Sequence, residues 1–263
     1  MTGRLAADWP QLARRLTRAD RVAVLTDFDG TLAPIQHRPD TVRLSDRVRR
    51  ALARLRARGH VVGIVSGRRI DDLRQRVGLS GLWYAGNHGF FLQSPRGTSL
   101  TLLHDEEHSG VGRIAHALGH ALRGVPGVRL EVKPASVAVH YRGAPPASHR
   151  AATRAARRVA QAGDVRLMAG KCVWELLPRT PVDKAVAVRT ILDLERRNGG
   201  GLAVVFIGDD MTDEPVFSLP LTLPVCVGRR QTAARYRLRS PTDVVRLLER
   251  ILALPTETAP RAR

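Results

Sequence analysis

The sequence predicts an α/β protein, a mostly parallel sheet covered by helices on both faces, with a smaller α+β unit inserted into it. Three observations carry this expectation. Continuous apolar runs at 21–26 (RVAVLT), 61–65 (VVGIV), 82–86 (LWYAG), 203–207 (AVVFI) and 223–227 (LPVCV) lack polar alternation, as strands buried on both faces do. Amphipathic helical patterns alternate with them near 44–58, 69–77, 183–197 and 241–253. Between the third and fourth strands the rhythm changes to close strand pairs separated by helices.

The first strand ends in Asp27-Phe28-Asp29-Gly30-Thr31. In the helix that follows, Leu44, Val48, Leu52 and Leu55 form one stripe and Arg43, Arg47, Arg50, Arg54 and Arg58 another, which predicts a buried face and a wet basic one. The second strand closes with Val65-Ser66-Gly67-Arg68 and the third with GNHG. The insert reads as a strand in SLTLLH, a helix near 106–123, strands VRLEVK and SVAVHYR, a helix near 147–162, and strands VRLMAG and KCVWELL. It is placed at 92–175, with the core at 1–91 and 176–263. Lys184 opens the next helix, and the fourth core strand runs into Gly208-Asp209-Asp210-Met211-Thr212-Asp213-Glu214. The tail TETAPRAR, after Pro255, is expected to be disordered.

Composition narrows the function classes. Of 263 residues 43% are hydrophobic, an ordinary globular share, and no window approaches 18 uncharged apolar residues. The start lacks a continuous apolar leader, so a soluble cytoplasmic protein is expected, neither secreted nor membrane-bound. Cys172 and Cys226 lie in apolar strand-like runs and read as buried thiols. The net charge of +19 comes from 40 Arg and three Lys (Lys133, Lys171, Lys184), a skew that makes the few lysines informative. Only eleven aromatics are present, none interleaved with the basic runs, so no nucleic-acid partner is expected.

The aspartates after the first strand could bind a cation, cap a turn or attack an electrophile. A calcium loop fails, because the sixth and twelfth positions from Asp27 hold Leu32 and Arg38 where Gly and Glu are needed. The carboxyl edge of a parallel sheet is where ligands bind in such folds. The second acidic cluster also follows a strand, and its carboxylates repel unless cations neutralise them. If the two strands are neighbours, Asp27 and Asp209 face each other across roughly 5 Å, a hard-oxygen site suited to magnesium. Ser66 and its following N–H groups can cradle an anion. A carboxylate nucleophile, a second carboxylate for proton transfer, a hydroxyl, an ammonium and magnesium are the parts phosphoryl transfer needs.

In this order, DFDGT, VSGR, a lysine and GDDMTD resemble the haloacid dehalogenase superfamily of aspartate-nucleophile phosphatases. Glu131-Val132-Lys133, His140-Tyr141-Arg142 and the Lys171 to Glu175 segment, following GNHG, resemble the trehalose-6-phosphate phosphatases, over about residues 20 to 250. The resemblance implies Asp27 as nucleophile, Asp29 as general acid and base, and Ser66 and Lys184 on the phosphate. It implies magnesium on Asp27, the Asp29 carbonyl and Asp209, with Asp210 and Asp213 in support. It implies a cap sheet that holds the sugar through Glu131, Lys133 and Glu175, with Arg68, Asn87, His88, His140 and Arg142 as further substrate contacts. Two departures from the family pattern are Leu177, where Arg is frequent, and Ala185, where Gly is frequent. A small sugar phosphate is the implied partner, with functional coupling to a trehalose-6-phosphate synthase. The alternatives are a capped phosphatase for sucrose or mannosylglycerate phosphates, or an inactive regulatory or nucleic-acid-binding module of the same fold.

Overall fold

The computed structural model of the chain describes residues 4–36, 41–103, 105–170, 172–180, 182–197 and 199–255. The predicted tail and Lys171 lie outside the described residues. Contacts divide the chain into two units, one made of Met1–Leu100 and Val182–Arg263, the other of Thr101–Pro181.

The first unit holds helices α1 (Arg4–Thr17), α2 (Asp46–Ala57) and α3 (Ile70–Val77), and strands β1 (Arg21–Thr26), β2 (Val61–Val65), β3 (Trp83–Gly86), β4 (Phe91–Gln93) and β5 (Ser99–Thr101). After the second unit come α6 (Lys184–Arg196), β10 (Leu202–Gly208), α7 (Glu214–Phe217), β11 (Thr222–Val227), β12 (Tyr236–Leu238) and α8 (Pro241–Leu252). The sheet runs β12-β11-β10-β1-β2-β3-β4-β5. β1 pairs in parallel with β10 on one side and β2 on the other, so the chain order reverses at β1. Such a reversal opens a crevice at the carboxyl ends of the flanking strands.

Alternate residues of these strands face opposite layers. Val22, Val24, Val62, Ile64, Val205 and Ile207 pack in one core with Leu12 and Leu16 of α1, Leu52 and Leu55 of α2, Leu73 of α3 and Leu247 of α8. On the other face lies α6, which contacts β2 and β3. Both faces are therefore covered, which is why the strands read as unbroken apolar runs. Each fully buried Leu or Ile contributes about 1.5–3 kcal/mol relative to exposure.

Several elements differ from the sequence expectation. The basic stripe of α2 is exposed, as expected, but two of its members also find partners: Arg47 forms a two-point ion pair with Glu249 of α8, 2.7 Å at each contact, and Arg58 donates to the Leu252 carbonyl. SLTLLH supplies β5 to the core sheet, not to the insert, and β4 pairs antiparallel with β3. These two added strands are why the second unit begins at Thr101, later than residue 92. Its end at Pro181 is also later than 175, because β9 (Val173–Pro178) completes the second sheet. Cys172 lies outside the strand, half-buried at φ 61, while Cys226 is buried in β11.

The second unit has α4 (Asp105–Ala121), β6 (Arg129–Lys133), β7 (Ser136–His140), α5 (Pro146–Ala162), β8 (Val165–Gly170) and β9. Its four strands form a sheet in the order β6-β7-β9-β8, with every pair antiparallel. Val137, Val139 and Leu176 turn to the helices and pack with Ile114 and Leu118 of α4 and Ala152 and Ala156 of α5. The intervening residues Glu131, Lys133, His140 and Glu175 therefore share the opposite face. Among the described residues no helix is long and apolar enough to cross a membrane.

Candidate active site

Because β1 and β10 are paired with Thr26 opposite Ile207, the residues that follow them emerge side by side. Asp27 donates its backbone N–H to the Ile207 carbonyl at 2.8 Å, which carries the pairing one residue past the strand. Carboxylate oxygens of Asp27, Asp209 and Asp213 lie within 4.8 Å of one another. Gly30 makes the approach possible on two counts: its φ is +87°, and a Cβ there would overlap the Asp209 carboxylate. Thr31 fixes that carboxylate, its hydroxyl donating to Oδ1 at 3.3 Å.

Lys184 joins the group from the first turn of α6. A cation there opposes the helix dipole, so carboxylates must hold it. Its ammonium donates to Asp27 Oδ1 at 2.7 Å and to Asp213 Oδ1 at 2.8 Å. Lys184 is 3% exposed and Asp213 wholly buried. Although burial pulls the ammonium down, Asp213 and Asp27 hold its pKa above the ordinary lysine value. The second oxygen of Asp213 accepts the Asp210 backbone N–H at 2.9 Å. Asp210 itself is exposed and accepts the Met211 N–H at 2.6 Å, capping the short 3₁₀ turn Met211–Asp213. Asp210 thus stands outside the converging cluster.

Three carboxylates meet one ammonium, and the imbalance is visible in the acids. Burial first, then Asp213 and Asp209, push Asp27 well above the usual carboxylate range despite the opposing pull of Lys184. Asp209 is pushed up to about 6 by burial, Asp213 and Asp210, against Lys184 and Thr31. Crowded hard oxygens carrying excess negative charge fit a divalent cation, which offsets the repulsion and competes with protons for the same oxygens.

Ser66, 2% exposed, directly follows β2 and donates its backbone N–H to the Ala85 carbonyl at 2.9 Å. Its hydroxyl oxygen accepts the Arg68 backbone N–H at 3.3 Å. The Arg68 side chain turns to Asp29, with Nε and Nη2 donating at 2.5 and 2.7 Å, and to Asp72 at 2.9 Å. Its guanidinium also lies 5.5 Å from the centre of the Phe28 ring. The Asn87–Gly89 turn returns to this loop: Asn87 N–H donates to the Arg68 carbonyl at 2.8 Å and His88 N–H to that of Ser66 at 3.0 Å. Asn87 and His88 both have positive φ, 50° and 59°. The His88 ring occupies the space a Cβ on Gly67 would take. Among the described residues the buried side-chain N–H₂ of Asn87 has no hydrogen-bond partner.

On the face of the second sheet away from its helices the expected sugar contacts form two pairs. Lys133 donates to Glu175 Oε1 at 2.8 Å, and Ser136 donates to the same oxygen at 2.7 Å. His140 Nε2 and Glu131 Oε2 are 2.8 Å apart, and this contact leads the influences that lower the Glu131 pKa. Arg142 is exposed, in the turn after β7. Ser136 was not singled out in the sequence, nor was Arg230, whose guanidinium reaches the Asp209 carbonyl at 2.7 Å. The strand-edge rule that marks Asp27 and Asp209 also applies to the residues after β11, and would have pointed to Arg230.

A family model described as Trehalose-phosphatase matches residues 25–241. The trehalose-phosphate phosphatase of Mycobacterium tuberculosis (strain ATCC 25618 / H37Rv) is 36% identical over 258 residues, covering 93% of this chain and 64% of that protein. The chain thus spans a little under two thirds of the length of such curated relatives. Among solved structures, the C-terminal domain of the C. albicans trehalose-6-phosphate phosphatase aligns with a TM-score of 0.80 at 26% identity, covering 94% of this chain and 97% of that one. The Aspergillus fumigatus trehalose-6-phosphate phosphatase aligns with a TM-score of 0.65 at 29% identity, covering 93% and 97%.

Proposed function

This chain belongs to the trehalose-phosphatase family, and from that premise we propose that it hydrolyses trehalose 6-phosphate to trehalose and phosphate, with magnesium as cofactor. The observation that carries the reading is the meeting of Asp27, Asp209, Asp213 and Lys184 at the switch point of the sheet. The insert at Thr101–Pro181 is assigned as the cap and the remainder as the catalytic core.

A carboxylate oxygen of Asp27 attacks phosphorus while the bond to the sugar oxygen breaks. Asp29, entering the step protonated with one oxygen released by Arg68, gives that proton to the departing oxygen. This leaves an aspartyl phosphate on Asp27 and on Asp29 a carboxylate that Arg68 holds at both oxygens. Asp29 then removes a proton from water as the water attacks the same phosphorus, releasing phosphate and restoring both side chains. Lys184 counters the charge of Asp27 and of the arriving phosphate, and Ser66 and the Asn87 amide donate to phosphate oxygens. Asp27, Asp209 and the Asp29 carbonyl are assigned to magnesium, which offsets charge on the transferring group. Asp213, with one oxygen on Lys184 and the other on Asp210, supports the site by orienting the ammonium.

Arg68 is assigned to Asp29 in place of the substrate, because its fork meets both carboxylate oxygens. Glu131, Lys133, His140 and Glu175 form the polar face suited to sugar hydroxyls, and the substrate would come from a trehalose-6-phosphate synthase. Phosphate release from a panel of disaccharide and monosaccharide phosphates, with and without magnesium, tests the assignment. Highest kcat/KM on trehalose 6-phosphate, lost on chelation, is expected. A preference of tenfold or more for sucrose or mannosylglycerate phosphate would reject the substrate assignment.

A further inference from the structure

Arg230 follows β11, the strand beside β10 on the side away from β1. Its guanidinium donates from Nε to the carbonyl of Asp209 at 2.7 Å and from Nη2 to the carbonyl of Asp210 at 2.6 Å. Nη1 donates to the Gln231 carbonyl at 2.9 Å and pairs with Glu214. The surroundings hold this fork in place: Glu214 accepts the Ala233 N–H at 2.9 Å, and Arg237 donates to the carbonyls of Gly228 and Arg230 at 3.0 and 2.8 Å. One planar group thereby fixes two consecutive peptide carbonyls. The other sides of the same two residues are also held, Asp209 by the Thr31 hydroxyl and Asp210 by Asp213.

We propose that Arg230 is a positioning residue that sets the Asp209–Asp210 backbone so that Asp209 faces Asp27, and that it thereby sets the affinity of the site for a divalent cation. This rests on the reading of Asp27 and Asp209 as cation ligands. The action is geometric. The guanidinium charge is matched by Glu214, and the contacts that matter are two donors at fixed spacing, which a lysine ammonium cannot reproduce. Groups that orient metal ligands through such contacts typically change affinity by about 10- to 100-fold.

The test is calorimetric titration of the full chain with manganese chloride at neutral pH, together with melting of the cation-free protein. Arg230→Lys keeps the charge and Arg230→Gln keeps at most part of the fork; both should weaken manganese binding by about tenfold or more. Glu214→Gln leaves both carbonyl contacts in place and should change it by less than about threefold. Binding by both Arg230 variants within twofold of the parent overturns the proposal, as does a melting-temperature loss unaccompanied by weaker binding. If one Arg230 variant does not fold, the other decides. Asp209→Asn separates the premise: it should abolish binding, and unchanged binding there rejects the ligand assignment itself, whatever Arg230 does.

Discussion

Arg68 holds both carboxylate oxygens of Asp29, at 2.5 and 2.7 Å, and Asp72 at 2.9 Å extends the contact to α3. Asp72 is in turn bonded to the buried Arg76, which reaches the Val42 carbonyl at 2.9 Å. The residue assigned to proton transfer is thus anchored through two arginines to the scaffold. If Arg68 positions Asp29, Arg68→Lys should lower kcat by about 10- to 100-fold, within the span general acid-base catalysis covers, with little change in KM. A rise in KM at constant kcat would return Arg68 to the substrate.

Lys184 is buried between two carboxylates that have lost their water. Removing one partner of a buried charge pair costs about 3–5 kcal/mol. Lys184→Met should lose that much in urea denaturation without divalent cation, and less with saturating magnesium, since the cation takes over part of the neutralisation. Equal losses in both conditions would separate Lys184 from the cation site.

The course of the core strands was legible because both faces of the sheet are buried, and the positions of Asp27, Asp209 and Ser66 followed from the strand ends. Side-chain direction was less so. Arg68, two residues after Ser66 in the loop, was expected as a substrate contact through the family resemblance, yet its fork finds Asp29, 39 residues away in sequence. The stripe of arginines on α2 is solvated as the sequence reads, but the partners of Arg47 and Arg58 come from α8, about 200 residues away, and no local pattern names them. β4 and β12 are each three residues long, too short for a two-residue period to stand out, whereas β5 was legible as a strand in SLTLLH but not the sheet it joins.

His60 provides a pH test away from the site. Its Nδ1 accepts the Val22 backbone N–H at 3.3 Å, and burial, then Arg58, lower its pKa. Folded His60 resists protonation, so its contribution is intact above about pH 6.5 and is lost as the unfolded chain takes up the proton at lower pH. The slope from this group approaches about 1.4 kcal/mol per pH unit at most. His60→Asn, which retains an acceptor, should flatten the decline measured by urea denaturation between pH 7.5 and 5.5; an unchanged slope contradicts the assignment.

Glu175 accepts both Lys133 and Ser136 through one oxygen. Glu175→Ala should reduce kcat/KM for trehalose 6-phosphate by about 100-fold or more, as loss of a charged hydrogen-bonding group does, while sparing a small aryl phosphate. Parallel losses on both substrates would place Glu175 in the general upkeep of the fold.

The proposed cycle turns on Asp27 carrying the phosphoryl group. The most direct measurement is acid quenching during turnover of trehalose 6-phosphate with magnesium, borohydride reduction of any acyl phosphate, and peptide mass spectrometry. Reduction at Asp27 alone, absent without substrate, is expected, together with no phosphate release from Asp27→Asn. A modified residue elsewhere, or an Asp27→Asn enzyme that folds and turns over near the parent rate, would contradict it.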